Sequence, residues 1–267
     1  MTDHRFRTLA ARTALAACLA VAVAACGDDD DEGAPSADDG GEQAAGGDAC
    51  DAIVEFNAAV MDVDTEGASD DELASMGEEL AAVWAPIDEN APDEVADQAG
   101  SISDALSDLA AGDAEAFDSD STFEAYTEVM SATVAECGFE TVAATAVDYG
   151  FEGIPETVPA GTVALELTNE GEEVHEMIIF QKPEGDTRSA EELLNDPAME
   201  ESGPPPAGFV FAAPGQSATG LAELAAGDYF AVCFIPVGTT EMPDGPPEGD
   251  GGPPHFTQGM LTEFTVE

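Results

Sequence analysis

Four side chains in the C-terminal half of the chain are of types that together hold a metal: His175 in HEMIIF, Cys233 in AVCFIP, and His255 with Met260 in PPHFTQGM. Two imidazoles and one thiolate in a trigonal arrangement, with a weak axial thioether, suit both oxidation states of copper, because the soft sulfur and the nitrogens accommodate each. Histidine is scarce here, 3 in 267 residues, and His4 lies in the leader described below, so both remaining histidines fall in this pattern. Taken singly, each residue has a plainer use. A histidine in a β-domain is commonly a hydrogen-bonding residue, and a buried cysteine packs as a small hydrophobe.

The elements that must position these residues are strands. VALELTNEG turns Val163, Leu165 and Leu167 to one side, and HEMIIFQKP, GDYFAVCFIP and MLTEFTVE read as three further strands. Turn signals at PAG (159–161), NEG (169–171), APG (213–215) and AAGD (225–228) separate them, and RSAEELLND (188–196) interrupts them as a short inserted helix. Several short strands punctuated by turns predict a β-sandwich. In it His175 opens one strand, Cys233 closes another, and His255 and Met260 lead into the last.

That ligand order, with TNEGEEVHEMIIF before it and HFTQGM after it, resembles the cupredoxins, the plastocyanin- and azurin-like blue copper domains, over residues 141–267. The resemblance implies an antiparallel Greek-key β-sandwich and one copper ion, with His175, Cys233 and His255 as equatorial ligands and Met260 as the axial one. It also implies one-electron transfer without substrate chemistry. One departure from the family pattern is the Pro/Gly-rich excursion PVGTTEMPDGPPEGDGGP (236–253) between Cys233 and His255, where the family has only a few residues. Loop closure cost grows slowly with length, so such an excursion can leave and re-enter at nearly one point. Met242 within it, or Met177 beside His175, is an alternative thioether.

Residues 50–140 have helical spacing instead. The stripes are Ile53, Phe56, Val60 and Met61; Leu73, Met76, Leu80, Val83 and Trp84; Val95, Ile102, Leu106 and Leu109; and Phe123, Tyr126, Met130, Val134 and Cys137. Breaks at Gly67, at Pro86 and Pro92, and near Gly112 divide them, which predicts a four-helix bundle-like domain. In an up-down-up-down bundle the start of the first helix and the end of the fourth lie at one end, so Cys50 and Cys137 are placed to form a disulfide. Cys233 is left as a free thiol. DVDTEGASDDEL (62–73) places Asp62, Asp64, Glu66 and Gly67 like the opening of a calcium loop, but Leu73 stands where a bidentate Glu is needed, and a solvated acidic helix connection is the plainer reading.

The N-terminus reads as a leader. Arg5, Arg7 and Arg12 precede the apolar TALAACLAVAVAA, and VAAC (23–26) meets GDDDDEG, which resembles a bacterial lipoprotein signal. The expected layout is a signal peptide over 1–25, lipidation at Cys26, a disordered acidic tether over 26–49, the helical domain over 50–140 and the β-sandwich over 141–267. LAAC (15–18) also fits the small-residue pattern, but cleavage at Cys18 would leave VAVAA on the mature end. The apolar run is short for a membrane span and no other stretch could cross a bilayer. The expected location is therefore the extracytoplasmic face of the cell membrane, held by the lipid.

Charge closes off other classes. With 58 acidic against 5 basic residues and a formal charge of −53, the chain offers no cationic surface for nucleic acid. An acidic, hydrated surface favours solubility and a cationic partner, such as a redox protein. Two histidines after the leader, and no G-x-S-x-G, leave little for acid–base or nucleophilic catalysis, so an enzyme is not expected. The alternatives to a copper electron carrier are a metal-free cupredoxin-like interaction or structural lipoprotein and a copper carrier.

Overall fold

The computed structural model describes residues 47–61, 63, 65, 67–117, 119–197, 199, 203–240 and 251–267. The signal segment, Cys26, the tether up to residue 46, Asp62, Asp64, Glu66 and Met242 lie outside the described residues.

Helices occupy the first half: α1 (Gly47–Met61), α2 (Asp70–Asn90), α3 (Ala96–Ala110), α4 (Ala114–Phe117) and α5 (Asp120–Cys137). Two of the long helices are capped by side chains where they begin. Ser69 and Glu72 form a reciprocal capping box at the start of α2, and Ser119 accepts from the Thr122 N–H at the start of α5. Within α2, Leu73, Gly77, Leu80, Trp84 and Ile87 recur every three or four residues and are all buried. Full burial of each large side chain among them contributes roughly 1.5–3 kcal/mol. α2 packs on α1 and α3, and α5 closes the set against both α3 and α1.

Three sequence expectations are corrected here. Pro86 does not break α2; it sits inside the helix, which runs to Asn90 before Pro92. The hydrogen bond that proline lacks is outweighed by burial of Trp84 and Ile87 on the packed face, both fully enclosed. α1 begins at Gly47, within the stretch expected to be tether, with Ala49 already buried. The first half carries five helices among its described residues, because the four-residue α4 stands between α3 and α5. The Cys50–Cys137 disulfide is present, with Cα atoms 5.6 Å apart, and Cys233 is free and buried.

The strands are β1 (Glu140–Val147), β2 (Gly150–Glu152), β3 (Thr157–Val158), β4 (Gly161–Asn169), β5 (His175–Gln181), β6 (Gly208–Ala212), β7 (Ser217–Leu224), β8 (Gly227–Val232) and β9 (Leu261–Val266). The inserted helix α6 (Ala190–Leu194) falls where RSAEELLND places it. Strand order is β2-β1-β4-β7-β6-β5-β8-β9-β3. The expected purely antiparallel arrangement is corrected: β1 pairs parallel with β4, and β3 parallel with β9. Each of these partners is separated in sequence by intervening chain rather than by a tight hairpin, which is what a parallel pair requires.

One buried cluster, including Val142, Val163, Leu165, Leu167, Met177, Val210, Cys233 and Met260, fills the β-domain. The helical cluster takes in Ala164 and Leu221 from β4 and β7, so the helices cover the outer face of these two strands. This is why Val163, Ala164 and Leu165 are buried consecutively instead of alternately.

Candidate metal centre

The four sequence-predicted ligands are delivered by three pieces of chain. His175 is the first residue of β5 and pairs with Ala212 of β6. Cys233 follows β8 directly, and its carbonyl accepts the Phe256 N–H at 3.0 Å. His255 opens a 3-10 turn (His255–Gln258), its N–H donating to the Ile235 carbonyl at 2.9 Å. Met260 then donates to the His255 carbonyl at 3.2 Å and accepts from the Cys233 N–H at 3.3 Å, just before β9. All four side chains are fully buried.

The long excursion between Cys233 and His255 is pinched shut at its base. Pro236 and Pro254 form an antiparallel bridge, Val237 N–H donates to the Pro253 carbonyl at 3.1 Å, and Gly252 N–H returns to the Val237 carbonyl at 3.1 Å. The approach is close enough that a Cβ on Gly251 would lie 2.5 Å from Cβ of Pro236. Chain length between the two ligands therefore does not separate them in space.

The donor atoms converge. Nδ1 of His175 and Nδ1 of His255 are 3.1 Å apart, and Sγ of Cys233 is 3.4 Å from Nδ1 of His255. One ligand atom from each of the three residues lies within 4.8 Å of the others, the one such grouping of His, Cys, Asp and Glu among the described residues. Met260 and Met177 are both buried in the cluster that holds Cys233.

The far nitrogens determine which way the rings face. Nε2 of His255 bonds Oε2 of Glu173 at 3.0 Å, so the proton sits on Nε2 and Nδ1 presents its lone pair inward. Nε2 of His175 lies 3.5 Å from Oδ1 of Asp148 and has no hydrogen-bond partner. The two facing Nδ1 atoms are satisfied either by a proton shared between the rings or by a cation bound to both. Two neutral imidazole nitrogens and a thiol sulfur, closed off from water, form a donor set that fits copper.

Electrostatics agree with a Cys233 thiol and a His175 imidazole that are neutral until a cation arrives. Burial, reinforced by the charge of Glu176, pushes the Cys233 thiol up to about 12. Burial, helped by the positive charge His255 can carry, lowers His175 despite the opposing pull of Asp148. Burial also raises Glu173, but hydrogen bonds from the Gly238 N–H, the Tyr149 hydroxyl and His255 more than offset it, and Glu173 lies below its usual range.

Several residues of this site have no signal in the ligand pattern. Asn169, at the end of β4, donates Nδ2 to the carbonyls of Glu173 and Ala212 at 2.8 and 2.9 Å, and its Oδ1 accepts the Gly171 N–H at 2.8 Å. It thus clamps the loop that presents His175. Asp148 and Tyr149 come from the two-residue turn between β1 and β2, with Tyr149 at φ 68° and its ring 5.2 Å from that of His255. The N-x-G of TNEGEE marks a turn and points to Asn169. Nothing local in VDYG places Asp148 or Tyr149 beside the histidines.

Neither a family model nor a curated protein matches the chain. Solved structures do resemble it. Reduced auracyanin from Roseiflexus castenholzii matches at 19% identity over 48% of this chain and 96% of its own, with a TM-score of 0.31. Auracyanin A, a "blue" copper protein from Chloroflexus aurantiacus, matches at 17% identity over 48% and 98%, with a TM-score of 0.31. Rusticyanin from Thiobacillus ferrooxidans matches at 19% identity over 48% and 78%, with a TM-score of 0.27.

Proposed function

We propose that this chain is a cupredoxin-type electron carrier of the cell envelope, holding one copper ion through His175, Cys233 and His255 with Met260 as axial thioether. The single observation that carries the reading is the buried convergence of the two Nδ1 atoms and the Cys233 sulfur from three separate chain segments. Copper bound there supplies a one-electron couple between Cu(II) and Cu(I).

The protein's own residues do the rest. His255 is held through Glu173, and His175 is set by the loop that Asn169 clamps. The enclosing core keeps water from the ligands, and complete burial of all four side chains favours a retained ion over a cargo ion. On this reading the β-domain is a Greek-key sandwich and the helices a bundle resting on β4 and β7. Acylated Cys26 anchors the chain at the extracytoplasmic face of the membrane, and the acidic surface favours a redox partner with a basic docking face.

Titrating the purified protein with Cu(II) tests the reading. Uptake should end at one ion with an intense visible band, because the colour arises from charge transfer out of a thiolate bound in the trigonal plane. Cys233→Ser should abolish the band, His175→Ala or His255→Ala should weaken binding, and Met260→Leu should mainly shift the potential. Stoichiometric copper without colour would identify a carrier, and no uptake would leave a metal-free interaction protein.

A further inference from the structure

Three parts of the structure meet at Glu173. Its Oε2 accepts from Nε2 of His255 at 3.0 Å and from the N–H of Gly238 at the base of the excursion, and its Oε1 accepts the Tyr149 hydroxyl at 2.9 Å. Its side chain is only 14% exposed. The other histidine is treated differently, since Asp148 stands 3.5 Å from Nε2 of His175, is 37% exposed, and makes no hydrogen bond to it. Of the two imidazoles, His255 alone is tied to a shielded carboxylate.

We infer that Glu173 is a positioning residue that locks His255 as its Nε2–H tautomer, with Nδ1 turned to Cys233, and that its charge biases the centre toward the more highly charged Cu(II). The second half of the inference rests on the copper reading above. A carboxylate that accepts the outer proton of a ligating imidazole fixes the ring and raises its basicity, which favours the higher metal charge. Tyr149 acts against this bias, because its hydroxyl draws charge toward the other oxygen of the same carboxylate. Gly238 holds the carboxylate in place from the excursion side, so the excursion base and the ligand are coupled through one residue.

Charge and mere support then predict different signs. In Glu173→Gln an acceptor stays within reach of His255 but the charge is gone. The ratio of Cu(II) to Cu(I) affinity should fall about tenfold, a rise in potential of ~59 mV for a one-electron couple. In Tyr149→Phe the carboxylate keeps its full charge, so the potential should move downward by less. A common direction of shift in both variants, or no shift in Glu173→Gln, would overturn the charge role.

Nitrogen-15 NMR of the metal-free protein tests the positioning role without copper. His255 should appear as the Nε2–H tautomer in the wild type and as a mixture in Glu173→Ala. An Nδ1–H tautomer in the wild type would overturn the positioning role whether or not copper binds. Failure to take up copper with the Nε2–H tautomer in place would reject the copper reading alone.

Discussion

A Cβ on Gly171 would stand 2.7 Å from Nε2 of His175 and 2.5 Å from Oδ1 of Asp148, so the loop between β4 and β5 leaves room at the imidazole edge for a hydrogen and nothing larger. A Cβ placed there must push against the imidazole or against Asp148. Gly171→Ala should therefore displace His175 while the fold persists. Overpacking of this kind costs about 1–3 kcal/mol, so copper affinity should fall by roughly 5- to 150-fold. Isothermal titration alongside an unchanged far-ultraviolet spectrum checks both halves of the expectation.

The carboxyl of Glu176 accepts the Phe234 N–H at 2.9 Å beside the site, and burial raises it from 4.5 to about 7. The unfolded chain ionises this group near 4.5, while the folded protein keeps the proton until about 7. Between those values the native state binds more protons, so stability falls as pH rises and levels off above 7. The fall amounts to up to about 3 kcal/mol. Urea unfolding of the metal-free protein from pH 4.5 to 7.5 should show it, and Glu176→Gln should flatten it; an unchanged slope in the variant would remove Glu176 as its cause.

The Cys50–Cys137 bridge closes a loop with a sequence separation of 87. On the chain-entropy model such a bridge stabilises by roughly 4–5 kcal/mol. The double variant Cys50→Ser, Cys137→Ser should lose about that much stability in the helical half. Trp84, the chain's single tryptophan, is buried in that core and reports the loss by fluorescence. Copper uptake at the β-domain should persist. Peptide mapping that found Cys233 in a disulfide would overturn the bridge and the metal centre together.

Lipidation is proposed at Cys26, from VAAC followed by GDDDD. Cys26→Ala should stall processing or release the protein from membranes. Unchanged mass and detergent partitioning in that variant would reject acylation there.

Two long strands that sequence patterning misses differ in composition from those it finds. VALELT and HEMIIF carry large, alternating apolar residues and are read directly as β4 and β5. β1, ETVAATAV, and β7, SATGLAEL, are rich in alanine and short polar residues, so they lack that contrast, and the tertiary pairing of β1 with β4 and β7 with β4 holds them in the sheet. Pro86 fails as a helix break for a similar reason: local preference against proline is overridden by the packing of Trp84 and Ile87.

The sequence by itself singled out the candidate ligand types and their order, His175, Cys233, His255, Met260, because chemistry restricts which residues can hold such an ion and this chain has almost no other histidine. It also determined the disulfide partners, since four helical stripes place Cys50 and Cys137 at one end. Only the tertiary structure decided that His175, Cys233 and His255 meet. The pinch at Pro236 and Pro254 cancels the length of the excursion, and no local pattern encodes a contact made between its two ends. The same holds for the outer partners of the histidines. Asp148, Tyr149 and Glu173 reach the imidazoles from a turn and a loop that are remote in sequence from His255, and contacts of that kind depend on where the sheet brings the segments together.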